Sequence, residues 1–185
     1  MNNLEEVYFD LIKSIKRYGF VHFCWWLHEE TDFLTAPAST KYHGAEKNGL
    51  LSHSLYVLHH MLNLTKNTDY SYETILLVSL YHDICKANFY TETTRNVKND
   101  KGKWEQVPYY AIDEQFPYGS HGGKSVYLMM KHGLVLEDEE AIAINNHMGG
   151  WDYTTYHNPS NAFDKYPLAV YLHTADILAS YISKH

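Results

Sequence analysis

Hydrophobic positions along the chain fall mostly at helical spacing, broken once by a long stretch with no such period. Val7, Leu11 and Ile15 recur every four residues, which predicts a first amphipathic helix over residues 4–17, closed by Gly19. Residues 20–27 are rich in aromatics and fit strand or helix, a short helix packed on the core being the preferred reading. Pro37, Gly44 and Gly49 punctuate an irregular stretch over 31–49. Residues 50–64 read as a helix with Leu51, Leu55, Leu58 and Leu62 on one side. The following helix, with Ser71 as its N-cap, runs into Leu76-Leu77-Val78-Ser79-Leu80-Tyr81, an almost unbroken apolar run that stops at His82-Asp83.

Residues 88–120 are the interruption. Residues 94–98 and 103–107 flank Asn99-Asp100-Lys101-Gly102, a β-hairpin signal, and Pro108 and Pro117 bracket a segment rich in tyrosine and phenylalanine. A connection this long inside a small domain is commonly a lid or a binding rim. Helical spacing resumes at His121 through Val126, Met129 and Met130 and stops at Gly133. Glu137 to Glu140 put acids in the first turn of the next helix, where they suit its dipole, and that helix halts at Gly149-Gly150 just past His147. After a polar loop, Pro167 fits the first turn of a last helix with Leu168, Leu172, Ala175, Ala179 and Ile182 as its stripe. The expected fold is all-α apart from one small hairpin. It is expected as a single domain over residues 1–185, with a hairpin and aromatic insertion at about 88–120.

Composition narrows the chemistry. The chain has 185 residues, 45% of them hydrophobic, enough for a substantial core. A net charge of −7, with 13 histidines uncounted, argues against a general polyanion-binding surface such as a duplex nucleic-acid site would need. Cys24 and Cys85 sit in apolar surroundings without CxxC spacing, as in a reduced interior. No basic leader and no apolar run of membrane-spanning length is present, so the expected setting is cytoplasmic, without membrane contact.

An acid inside an apolar run needs a partner. His82-Asp83 has candidates in His53, His121, His147 and Asp176, each on or at the edge of a different predicted helix. Four imidazoles and two carboxylates form a mixed nitrogen and oxygen set that suits Fe, Mn, Zn, Ni or Co better than Ca, with Mg a further candidate. A carboxylate with two oxygens can bridge two divalent ions about 3.5–4 Å apart, an arrangement that clamps a phosphate and generates hydroxide at neutral pH.

The ordered set His53, His82-Asp83, His121, His147, Asp176 resembles the two-metal branch of the HD superfamily of metal-dependent phosphohydrolases. Gly49-Leu50-Leu51-Ser52-His53-Ser54 looks like that family's entry to its first ligand helix. Tyr81-His82-Asp83-Ile84-Cys85-Lys86 looks like its HD signature, and Thr174-Ala175-Asp176 like its closing motif. The resemblance covers residues 41–181 and implies an HD-domain helical bundle. It implies one ion on His53, His82, Asp83 and Asp176, a second on Asp83, His121 and His147, and Asp83 as the bridge. It also implies Asp83 and Lys86 as the catalytic pair, Lys86 reaching a phosphate oxygen. Around them His43, Lys124 and Trp151 are candidate substrate contacts, and His173 a support for Asp176 on the same helix face.

The expected function is hydrolysis of a phosphate ester by metal-activated hydroxide, with a small phosphorylated partner, a nucleotide or related compound. Two other readings use the same six residues: a diiron oxygenase of the same superfamily, and a non-catalytic module that binds metal or nucleotide.

Overall fold

The computed structural model describes residues 3–41, 44–151 and 159–183. Its framework is α-helical: α1 (Asn3–Ile12), α2 (Phe20–Glu29), α3 (Gly49–Leu64), α4 (Tyr72–Tyr81), α5 (His121–Lys131), α6 (Asp138–Asn146), α7 (Ser160–Lys165) and α8 (Pro167–Tyr181). One antiparallel hairpin, β1 (Tyr90–Lys98) and β2 (Trp104–Ile112), stands between α4 and α5. This is the helical fold with a hairpin insertion that the sequence predicts. No helix among the described residues is long and apolar enough to cross a membrane.

Helix α3 packs on both α4 and α8, α6 packs on α8, and α5 packs on α6. The apolar run of α4 fills the centre, with Leu76, Leu77, Val78, Leu80 and Tyr81 all fully buried. A helix buried on every side has no polar face, which is why its hydrophobicity is nearly continuous and not periodic. Ser71 caps it as expected, its hydroxyl accepting from Thr74 N–H at 3.0 Å.

Several details differ from the sequence pattern. Helix α1 ends at Ile12, not at residue 17, and buries Tyr8 while Val7 is 45% exposed. The chain leaves the helix to deliver Arg17, whose guanidinium forks onto Glu140 at 2.6 and 2.8 Å and reaches Glu73 at 3.3 Å. Those contacts tie α1 to the starts of α4 and α6. In α3 the interior face carries Leu50, His53, Val57, Leu58 and Met61, whereas Leu55 is half-buried and Leu62 is exposed. Ile182 lies past the end of α8 and is 69% exposed. Helix α7 occupies part of the expected polar loop. The strands run longer than the turn signal indicated and take in Tyr109 and Tyr110, with Lys98 opposite Trp104 and Tyr90 opposite Ile112. Pro108 is tolerated inside β2 because a two-stranded ribbon leaves each strand one unpaired edge.

Glycine decides one helix contact. A Cβ on Gly122 would sit 2.3 Å from Ile144 O and 2.7 Å from Asn145 O, so α5 approaches the end of α6 only because residue 122 has no side chain. That approach brings His121 and His147 to the same place.

Candidate metal centre

His82 and His147 are built alike. Each is the C-cap of its helix, α4 and α6, and each donates its Nδ1–H to the carbonyl three residues earlier: His82 to Ser79 O at 2.9 Å, His147 to Ile144 O at 2.7 Å. The donation satisfies an orphan carbonyl of the last helical turn. It also fixes the tautomer, leaving Nε2 as a bare lone pair aimed inward. Burial drives the His82 pKa down to about 3, so this ring is neutral.

The two lone pairs turn toward carboxylates. His82 Nε2 lies 3.5 Å from Asp83 Oδ2, 3.3 Å from His53 Nε2 and 4.0 Å from Asp176 Oδ1. His147 Nε2 lies 3.4 Å from Asp83 Oδ1 and, although buried, has no hydrogen-bond partner among the described residues. Acceptors turned toward acceptors in a dry interior are costly unless a cation sits between them. His53, from the middle of α3, approaches Asp176 of α8 at 3.1 Å and Asp83 Oδ2 at 3.6 Å.

Asp83 follows the end of α4, where the backbone leaves helical geometry before a 3-10 turn at Ile84–Lys86. This break frees His82 and Asp83 from the 100° separation of consecutive helical residues and lets both face one centre. The carboxylate divides its oxygens. Oδ2 faces His53 and His82, and Oδ1 faces His121 at 2.6 Å and His147. Two triads therefore share Asp83: His53-His82-Asp83 and Asp83-His121-His147, and either could hold a metal ion.

Positive groups already surround the acid. Lys86 Nζ is 2.6 Å from Asp83 Oδ2. Burial alone would raise the Asp83 pKa, but Lys86, His82 and His121 together hold it well below the carboxylate range. Burial also opposes a charge on His121, and this is outweighed by Cys85 and Asp83, which lift its pKa to about 10. Asp176 is likewise held low, with burial outweighed by its hydrogen bond to His53 and by the neighbouring histidines.

The HD-domain family model matches residues 50–181, from the first turn of α3 to the end of α8. The chain belongs to the HD-domain family. That superfamily consists largely of metal-dependent phosphohydrolases. No curated protein and no solved structure matches the chain.

Around the HD pair, the other expected residues are placed as follows. Trp151 ends a 3-10 turn at Gly149–Trp151, is 60% exposed, and lines a hollow of about 150 Å³ beside Asp83, Lys86, His147 and Asp176. His173 lines the same hollow and donates its Nδ1–H to His147 O at 2.6 Å, which anchors the residue after which the chain turns. Its ring lies against Gly149, where a Cβ would come within 2.7 Å, and φ there is +58°. Lys124 is buried on the other side of Lys86, in a hollow it lines with His121, and is paired with Glu114 at 2.9 Å and 5.3 Å from the Phe89 ring centroid. His43 lies outside the described residues.

Sequence reasoning missed Met148, Ile177 and Tyr181, which line the Trp151 hollow. It also missed the contact of Cys85 Sγ with the His121 ring at 3.4 Å. Ile177 and Tyr181 lie one and five positions after Asp176 on α8, and that placement was the only available signal. Both cysteines are free thiols.

Proposed function

We propose that this HD-domain protein hydrolyses a phosphate ester of a nucleotide or related compound, using divalent ions held by His53, His82, Asp83, His121, His147 and Asp176. The observation that carries the reading is the division of Asp83, one oxygen toward each histidine pair, with the buried His147 Nε2 left without a donor among the described residues. Divalent ions bound to such a set supply an activated water near neutral pH and offset the charge of a phosphate.

The chain's own groups have distinct parts to play. His82 and His147 are held rigid by their backbone carbonyls, so the centre needs no reorganisation when it is filled. Lys86 stands at the mouth between Asp83 and the hollow, where its ammonium can leave Asp83 for a phosphoryl oxygen and offset developing charge. Trp151 offers an exposed indole face for a base. His43 precedes α3 in sequence and is retained as a candidate phosphate contact.

Elemental analysis of the protein as isolated, followed by a phosphate-release screen over nucleotides with Mn²⁺ and other divalent ions, tests the proposal. The expected result is stoichiometric transition metal and turnover of at least one phosphate ester. Asp83→Asn is expected to lower metal content and reduce turnover by more than the roughly 10–100-fold typical of changes outside the ligand set. Full activity in that variant would remove Asp83 from the centre. Iron accompanied by O₂ consumption without phosphate release would favour oxygenase chemistry instead.

A further inference from the structure

Two hollows meet at Lys86. One is the Trp151 hollow described above. The other, about 310 Å³, lies between the exit of the hairpin and the start of α5, and includes Lys86, Cys85 and His121 in its wall. The first touches Asp83, His147 and Asp176, and the second touches His121, so they flank the candidate centre from two sides. A phosphate monoester has one organic substituent and would leave one of the two with nothing to hold.

The walls of the second hollow indicate what fits. Phe89, Pro117 and Tyr118 supply flat apolar surface, while Glu114, Ser120 and Lys124 supply polar edges. Because Lys124 is already paired with Glu114, the hollow is not a strong anion trap. Rings with hydrogen-bonding rims match such a lining. The wall is also preformed. Tyr118 stacks on Tyr127 at 4.1 Å and on Phe116 at 5.6 Å, and the Glu114–Lys124 pair fastens the segment between β2 and α5 to the helix.

Resting on the proposed hydrolase reading, we propose that the second hollow is a subsite for an aromatic heterocycle and that the substrate is a phosphodiester of dinucleotide type. One base would lie at Trp151, the other between Phe89 and Tyr118, with the bridging phosphate at Asp83 and Lys86. Water adds its oxygen to phosphorus, and the bond from phosphorus to one ester oxygen breaks. The departing oxygen takes a proton, which gives one phosphomonoester and one alcohol with no change of oxidation state.

The test compares a linear dinucleotide with a nucleoside monophosphate for the metal-loaded wild type and for Phe89→Ala and Tyr118→Ala. Tyr118 is 42% exposed, so its replacement does not threaten folding. Dinucleotide cleavage whose kcat/KM falls about 10-fold further than monoester turnover does in both variants is the expected result, and an equal fall for the two substrates would overturn the subsite. Cleavage of esters that neither variant alters would overturn the subsite and leave the hydrolase reading standing. If no ester is cleaved at all, the hydrolase reading fails, and calorimetry with a phosphorothioate-linked dinucleotide decides the subsite separately. Binding at least 10-fold tighter than that of the mononucleotide, and weakened by Phe89→Ala, sustains it. Equal affinity for the two ligands overturns it.

Discussion

Lys86 and Asp83 are three residues apart in the chain and 2.6 Å apart in space. A buried acid with an ammonium on one oxygen and His121 on the other is neutralised in the absence of any ion. If ions occupy the triads, that service becomes redundant, and the lysine is free to act on substrate. Lys86→Met is therefore expected to keep metal content at the wild-type level while kcat falls by about 10²–10³, the usual cost of one charge-stabilising donor. Metal analysis alongside steady-state kinetics checks it. Loss of metal in step with activity would make Lys86 a structural partner of Asp83 only.

Helix ends, and not helix faces, deliver most of the centre. His82 and His147 cap α4 and α6, His121 opens α5, and only His53 and Asp176 project from within helices. Helix termini leave backbone groups unpaired, so a residue there can satisfy a carbonyl with one ring nitrogen and present the other. The spacing of these ends depends on Gly122. Gly122→Ala would force α5 away from the Ile144 carbonyl, and a destabilisation of about 1–3 kcal/mol is expected from overpacking, together with weaker metal retention. Urea unfolding measures it. Gly150→Ala, where a Cβ meets nothing within 4 Å, is the control and should leave stability unchanged.

At the scale of the molecule, the centre couples folding to pH. In the metal-free protein the His121 pKa is raised from 6.5 to about 10, so its contribution is complete below about pH 6.5 and is lost as pH rises toward 10. His82 has the opposite sign. Its pKa is lowered from 6.5 to about 3, so the unfolded chain takes up a proton that the folded one refuses, and stability falls as pH drops from about 6.5 toward 3. Asp83 and Asp176, both held low, add to that acidic loss. Stability with chelator present is therefore expected to peak near pH 6–7. Saturating divalent ion should raise it most at pH 8–9, because a ligand imidazole binds in its neutral form. Denaturant titrations at pH 5, 6.5 and 9, with and without metal, follow both limbs. An unchanged alkaline limb with metal would place the ion elsewhere than His121.

Reading the chain in one dimension went far where chemistry and period coincide. The buried α4 run, the Ser71 cap, the hairpin turn and the six ligand-type residues were all legible, since each depends on residue type and local spacing. Tyr8 in place of Val7, the early end of α1 at Ile12, and the exposure of Leu62 were not, because which face of a helix is covered depends on neighbours distant in sequence. The same holds for Lys124. Its position after His121 is local, whereas its place over Phe89 in the wall of the hollow that also holds His121 and Lys86 depends on residues the fold brings in. What the sequence determined by itself was the inventory: helices, one hairpin, and a set of imidazoles and carboxylates suited to a divalent ion. Tertiary structure alone decided that Asp83 splits its oxygens between two histidine pairs and that two hollows flank it. Those are relations between helix ends brought together by packing, and no local spacing encodes them.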